Sequence, residues 1–411
     1  MTTTEREKRK VGLWLIGARG SIAATVMLGA SALRRGETAA TGLVTAAAPF
    51  AGLDLLPVTD FVFGGCDIRR QSLRDAARQA MAEGVALDQS FLDRIGPELD
   101  EVESDISPGT CRNCGEMIAG LAEQAVAGKT VSAELAEIRR QLSAFRAKRR
   151  LGRVIVINLA STEPPLPLTP LHHDPELFVE RIAANDGEAV QASTLYAYAA
   201  ILEGCPYINF TPSSGALIPA LVRLAEQSGV PVMGNDGKTG ETLVKSALAP
   251  LFLSRNLEIL SWEGVNMLGN MDGQVLNDPR NCQSKLKSKD QVLRNIMGYE
   301  PHSRVHIHYV PSLGDQKTAW DFIHFQGFLG VRMSLQFTWQ GYDSILAAPL
   351  VLDLARLADL AHRHGEGGLM PQLASFFKSP LGVTEYRHAA QYAMLTDYAA
   401  KKREINEPSH Q

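Results

Sequence analysis

The run VGLWLIGARGSIAATVMLGASAL, residues 11–33, constrains the fold more than any other stretch of the chain. It is long enough to cross a membrane as one helix, but Gly17, Arg19, Gly20 and Ser21 interrupt its middle, where a charge in lipid is costly. Divided at that interruption it becomes a strand over Val11–Ile16 buried on both faces, a glycine-rich turn, and a helix from Ser21 to about Arg34. The turn reads GxxGxxA from Gly17 to Ala23. Small residues there let the backbone approach a pyrophosphate, and the helix start offers free N–H groups and positive potential. The spacing departs from GxGxxG, and a tight strand-helix turn would use the same glycines. A second strand is expected at Thr41–Ala46, with no acid at its end to bind a ribose. Asp67, following a strand candidate at Asp60–Phe63, is the first acid well placed for that purpose.

From Gln71 to about Arg150 the pattern is mostly helical, with breaks expected at Gly96-Pro97 and Pro108-Gly109. Val154–Ile157, PYINFTP and VPVMGNDG read as further strands, each followed by turn chemistry and a helical run. This alternation predicts an α/β fold with a doubly wound, Rossmann-type parallel sheet, whose ligands bind at the carboxyl ends of the strands. Beyond Leu243 the texture changes. EILSWEGVNM, RVHIHYVPS and RMSLQFTWQG are strand candidates with few crossover helices between them, which predicts an inserted α+β domain for catalysis and oligomerisation. The expected division is 1–243, 244–342 and 343–411, the last segment packing its apolar DSILAAPLVLDLARLADLAHRHG helix back on the first.

Composition narrows the partners. The chain has 411 residues, more than one core of roughly 250–300 residues accommodates, so two domains are expected. A net charge of -4, with basic and acidic residues interspersed, argues against nucleic acid and for a small molecule. Five cysteines are an odd count, too sparse for a disulfide scaffold, and fit a reducing cytoplasm. Cys111-Arg-Asn-Cys114 has CxxC spacing but lacks the second pair that a four-thiolate zinc site needs, so it reads as two free thiols. His302, His306 and His308 lie on an alternating strand beside no matching acid and read as core or interface histidines; no metal site is expected.

GNDGKTGETLVKSAL, residues 234–248, is a second strand-loop-helix junction. A nucleotide triphosphate loop would need glycine where Val232 stands. What remains is an anion site at Thr239, Gly240 and Thr242, or ordinary capping by Thr239.

Seven motifs, in order, extend the reading: ASTLYAYAAILEGCPYINFTPSSG, GNDGKTGET, NMLGNMDG, QSKLKSKDQV, YVPSLGDQKTAWD, YDSILAAPLVLDLARLA and SFFKSPL. From Val11 to about Leu381 the chain resembles the inositol-phosphate synthases, in a compact prokaryotic form. The resemblance implies tightly held NAD and a redox-neutral cyclisation of glucose 6-phosphate: oxidation at C5, enolisation through C6, attack on C1, and reduction of the ring ketone. It implies catalytic roles for Lys285, Lys289, Lys317 and Lys378, supported by Asp236, Asp272 and Asp343. Several ammonium groups in a water-poor site would stabilise the successive oxyanions. Lys285 and Lys289 share a helical face if their stretch is helical, whereas Lys287 points elsewhere. The implied cofactor residues are Gly17, Ala18, Arg19, Gly20, Ser21, Ile22, Asp67, Ala160, Ser161, Thr162 and Asp315. The implied phosphate residues are Thr239, Gly240, Glu241 and Thr242. A homotetramer in the cytoplasm, with no membrane association, is the expected state.

This chain departs from the family pattern at several positions. Arg19 and Ala23 replace glycines, Cys66 replaces tryptophan, Met271 interrupts an Asn-Asn-Asp run, and Glu241 replaces a glutamine. A carboxylate at the phosphate loop repels the substrate unless it points away or pairs with a lysine. The alternative is therefore a related cyclase that takes another hexose phosphate, such as fructose 6-phosphate, to a five-membered carbocycle.

Overall fold

The computed structural model describes residues 10–82, 84, 87–125, 129–270, 273 and 292–406. Its first sheet has seven parallel strands in the order β11-β6-β5-β4-β1-β2-β3. They are β1 (Val11–Ile16), β2 (Phe61–Asp67), β3 (Ile106–Pro108), β4 (Arg153–Asn158), β5 (Tyr207–Asn209), β6 (Pro231–Gly234) and β11 (Gly368–Leu369). The order reverses between β1 and β4, so their carboxyl ends open a crevice between them.

Strand β1 is buried throughout because both sheet faces are covered. Val11, Leu13 and Leu15 enter one core with the helices Ser21–Arg35, Leu73–Ala82, Gln89–Glu103 and Asp343–Arg363. Trp14 and Ile16 enter the other, with Val131–Arg149, Ala192–Leu202 and Pro219–Gln227. The helix Asp343–Arg363 packs against Ser21–Arg35 as its apolar spacing predicts, and β11 follows it to extend the sheet edge beside β6.

The second sheet is mixed, in the order β10-β9-β7-β8. Its strands are β7 (Glu258–Leu268), β8 (His302–Tyr309), β9 (Gln316–Gln326) and β10 (Arg332–Tyr342); β7 and β8 run parallel and the other neighbours antiparallel. The helix Glu241–Ser254 leads from β6 to this sheet and packs Ala249 and Phe252 against Trp262 and Ile323 on its inner face. The outer face carries a row of stacked rings on β9, Trp320, Phe322 and His324. No helix among the described residues is long and apolar enough to cross a membrane.

Four expectations need correction. Residues 41–46 are not a strand but end in a short 3-10 turn, Val44–Ala46, because the amides of Val44 and Thr45 donate to the Asp353 carboxylate at 2.6 and 3.1 Å rather than to a sheet neighbour. The second strand is β2, and an acid, Asp67, does end it. Gly96-Pro97 lies within the helix Gln89–Glu103, where a Cβ on Gly96 would meet the Arg74 guanidinium at 2.6 Å; the glycine makes room for packing rather than a break. Strand β9 was absent from the candidates because Lys317, Asp321 and His324 mask its alternation; Asp321 is nonetheless buried, donated to by Trp262 Nε1 at 2.7 Å.

Candidate active site

The carboxyl ends of β1, β2, β4 and β6 surround a cavity of about 240 Å³ that reaches across to Asn270 and Asp315 in the loops beside the second sheet. At its β1 end Gly17 takes a left-handed φ of +79°, and a Cβ there would lie 3.1 Å from the Ala160 Cα. The β1 and β4 loops can therefore approach only without a side chain at residue 17. The following helix starts at Gly20 with no side-chain cap and no acid in its first turn. Gly20, Ser21 and Ile22 line the cavity, the Gly20 N–H being held by the Gly17 carbonyl at 3.0 Å, and an uncapped helix start of this kind fits a diphosphate. Ala18, by contrast, does not line the cavity. It is fully buried, and its amide donates to the Cys66 carbonyl at 3.1 Å.

Arg19 does not aim its charge at a diphosphate. Its guanidinium is drawn aside to Glu103 and to the carbonyls of Arg69 and Gln71, while its backbone N–H donates to Asp67 Oδ2 at 2.7 Å. Asp67 Oδ1 accepts from the Arg69 amide at 2.9 Å. One carboxylate thus ties the glycine turn to the end of β2 and keeps lone pairs for a ribose diol. Ala160, Ser161 and Thr162 line the opposite wall. Asp315 accepts from Asn270 Nδ2 at 3.1 Å and from the Ser344 amide at 3.3 Å and its hydroxyl; burial pushes its carboxyl pKa up. These residues fit NAD: an open helix start, a glycine cradle and an acid at the ribose position.

Two lysine-aspartate pairs lie further along the same cleft. Lys378 Nζ meets Asp236 Oδ1 at 2.7 Å, and the Lys378 amide donates to the Asp236 carbonyl at 2.7 Å. Asp236 Oδ2 is buried with no hydrogen-bond partner, so it remains an acceptor for a bound molecule. Lys317 Nζ lies 3.4 Å from Asp343 Oδ2, and Thr239 Oγ1 donates to Asp343 Oδ1 at 3.4 Å. A Cβ on Gly240 would be 3.9 Å from Lys317 Nζ, so this ammonium stands over the start of the helix Glu241–Ser254. That helix start has no side-chain cap, and the Thr242 hydroxyl is buried without a partner. Open amides, a hydroxyl and a lysine together suit a phosphate.

Glu241 is the residue whose identity put a phosphate in doubt, and its carboxylate turns away from this cradle. Oε1 pairs with Lys245 at 2.7 Å and Oε2 accepts from Asn266 Nδ2 at 2.6 Å, both beneath the second sheet. Gly264 leaves room for it, since a Cβ there would lie 2.6 Å from Oε1.

Lys285, Lys289 and Asp272 lie outside the described residues. The expectation of no acid beside His302 and His306 needs correction: the carboxylate of Glu263 on neighbouring β7 lies 3.1 Å from His302 Nε2 and 3.5 Å from His306 Nε2. Among the described residues no group of three ligands could hold a metal. Sequence reasoning missed Glu163 and Ser193, which line the cofactor cavity. The Ser193 amide donates to Glu163 Oε1 at 3.0 Å and its hydroxyl to Oε2, while burial pushes the Glu163 carboxyl up to about 7. The signal was present in Ser193 and Tyr196, one turn apart on a helix already quoted as a motif.

Fold and cleft together define an NAD-dependent enzyme of the doubly wound class with an anion site set between lysines. A sequence model of one family, described as myo-inositol-1-phosphate synthase and as NAD-binding, matches residues 11–399. Inositol-3-phosphate synthase 1 of Bacteroides thetaiotaomicron is 32% identical over 96% of this chain and 95% of its own length. The human inositol-3-phosphate synthase 1 is 34% identical over 77% of this chain, which spans only 57% of the human one. Among solved structures, inositol-3-phosphate synthase from Caenorhabditis elegans superposes with a TM-score of 0.86 at 26% identity, covering 96% of this chain and 86% of that one. The chain belongs to the myo-inositol-1-phosphate synthase family, and its cofactor is NAD.

Proposed function

We propose that this protein cyclises glucose 6-phosphate to 1L-myo-inositol 1-phosphate without net oxidation or reduction. The observation that carries the reading is the continuity of the cavity, whose lining runs from the cofactor cradle to Asp236, Gly237, Thr239, Asp343 and Lys378, beside the uncapped helix start over which Lys317 stands. Bound NAD supplies a reversible two-electron oxidation at substrate C5. The chain's own residues hold the substrate and manage its charge. Amides at Gly240 and Glu241, with the Thr242 hydroxyl and Lys317, hold the phosphate. Lys378 stabilises negative charge on the C5 oxygen as the C6 proton leaves, and Asp236 holds that ammonium in place. The C6–C1 bond then forms, the C1 oxygen takes a proton, and the C5 ketone returns to an alcohol; Lys285 and Lys289 join this work by family resemblance. Ammonium groups in a site shielded from water favour each oxyanion as its charge develops.

The assembly is read as a homotetramer in the cytoplasm. The outer face of the second sheet supports a subunit contact, as does the β9-β10 hairpin tip, where Phe328 and Leu329 are 88% and 84% exposed. The turned-away Glu241 removes the ground for preferring another hexose phosphate. Incubation with glucose 6-phosphate or fructose 6-phosphate, read by product NMR, tests this: a cyclohexane polyol phosphate from the first, without accumulating NADH, is expected. A cyclopentane product, or NADH in step with substrate loss, would overturn it.

A further inference from the structure

The turn Cys111-Arg112-Asn113-Cys114 has no part in the chemistry above, yet it forms part of the cofactor cavity wall. Cys114 N donates to Cys111 O at 3.4 Å, and Asn113 takes a left-handed φ of 49°. The turn is fixed from both sides. Arg112 pairs with Glu134 at 2.7 Å, and Asn113 Nδ2 donates to the carbonyls of Gly187 and Val190, each at 2.7 Å. Both cysteine side chains belong to one small cluster with Ile68, Ile118 and Leu121, and the Cys114 thiol donates to the Gly115 carbonyl at 3.6 Å. A turn of this span keeps its end Cα atoms within about 7 Å, the range a disulfide bridges.

The two sulfurs are unequal. Cys114 is buried, packs with Ile118 and lines the cavity, whereas Cys111 is only half-buried. The neighbouring Cys114 thiol lowers the Cys111 pKa against the opposing effects of burial and nearby carboxylates. Elsewhere burial pushes Cys66 and Cys205 up to about 12 and leaves them inert.

We propose that Cys111 and Cys114 are a reversible thiol-disulfide site that weakens cofactor binding when oxidised, with a low-molecular-weight disulfide as co-reactant. The Cys111 thiolate attacks one sulfur of that disulfide and releases one thiolate. Cys114 then loses its proton, attacks the Cys111 sulfur, and releases the second. The protein gives up two electrons, the small disulfide becomes two thiols, and the two protons pass to them. Closure brings the two sulfurs to about 2.05 Å, so the Cys114 side of the wall moves. The proposal rests on the cofactor cavity and not on the cyclisation reading.

The test uses the full chain treated with oxidised glutathione or dithiothreitol, with intact mass, peptide mapping and an NAD titration by calorimetry as readouts. The expected result is a Cys111–Cys114 bridge, with the loss of two hydrogen masses. NAD affinity should be roughly tenfold weaker, about 1.4 kcal/mol, and restored by dithiothreitol. C111S alters only the half-buried sulfur and should keep its NAD affinity in both treatments, which preserves the test if C114S does not fold. A bridge that leaves NAD affinity unchanged, no bridge at all, or an equal loss of affinity in C111S would each overturn the proposal.

Discussion

Lys378 contributes an ammonium whose only described side-chain partner is Asp236, while Asp236 keeps one oxygen open to the cleft. K378A should lower the rate of inositol phosphate formation by on the order of 10²–10³-fold, the usual effect of removing one oxyanion donor. NAD affinity by calorimetry should be retained, because the cofactor cradle lies on other strands; equal losses in both would deny Lys378 its chemical role. Lys245 tests a different property. It and Glu241 are both about 1% exposed, and K245M should destabilise the fold by about 3–5 kcal/mol in urea unfolding. The double variant E241Q/K245M should be less unstable than the sum of the singles, since the pair is then removed as a unit. The glycine turn and the lysine motifs were legible in the sequence because each is a short local pattern. The direction of Glu241 was half legible: Lys245 follows at i+4, but Asn266 and the space at Gly264 come from a strand whose register no local pattern gives.

Among the elements, the parallel strands were readable because each is a short apolar run with its own turn. Strand β9 was not, since its polar residues are stabilised by partners brought from β7. The 3-10 turn Val44–Ala46 depends on a carboxylate 309 residues away from Val44, which no local window contains. The helix His388–Asn406 is joined to the loop after β6 through Lys238, whose ammonium reaches Gln391 in the interior. Burial pushes Lys238 down to about 7 from 10.5, so between these values the unfolded chain holds the proton more firmly than the folded one. This lysine's contribution therefore makes stability rise with pH from about 7 to 10.5. K238M removes it. Denaturant unfolding of the variant should show a flatter stability profile between pH 7 and 10 than the parent, and parallel profiles would mean that Lys238 is charged when buried.

For the whole molecule, the second sheet has two different faces: the inner one is packed on the helix Glu241–Ser254, and the outer one presents aromatic rings and the Phe328-Leu329 tip. Such an apolar projection is stable in water when another surface covers it. The double variant F328S/L329S should shift the protein toward smaller species in light scattering at equal concentration, while the thermal midpoint of the NAD-binding sheet changes little. An unchanged mass would deny this tip a part in any subunit contact.

The cleft is assembled from opposite ends of the chain, Gly17 in the first strand-helix turn and Lys378 after the last strand of the sheet. The helix that covers the first core begins only at Asp343, and β11 reaches β6 later still. During synthesis the glycine turn is therefore made long before Asp343, Ser344 and Ala347, which complete the wall of the same cavity. Until that last segment has been made, the apolar face of the first sheet stays uncovered, the condition in which a chain aggregates or is held by chaperones.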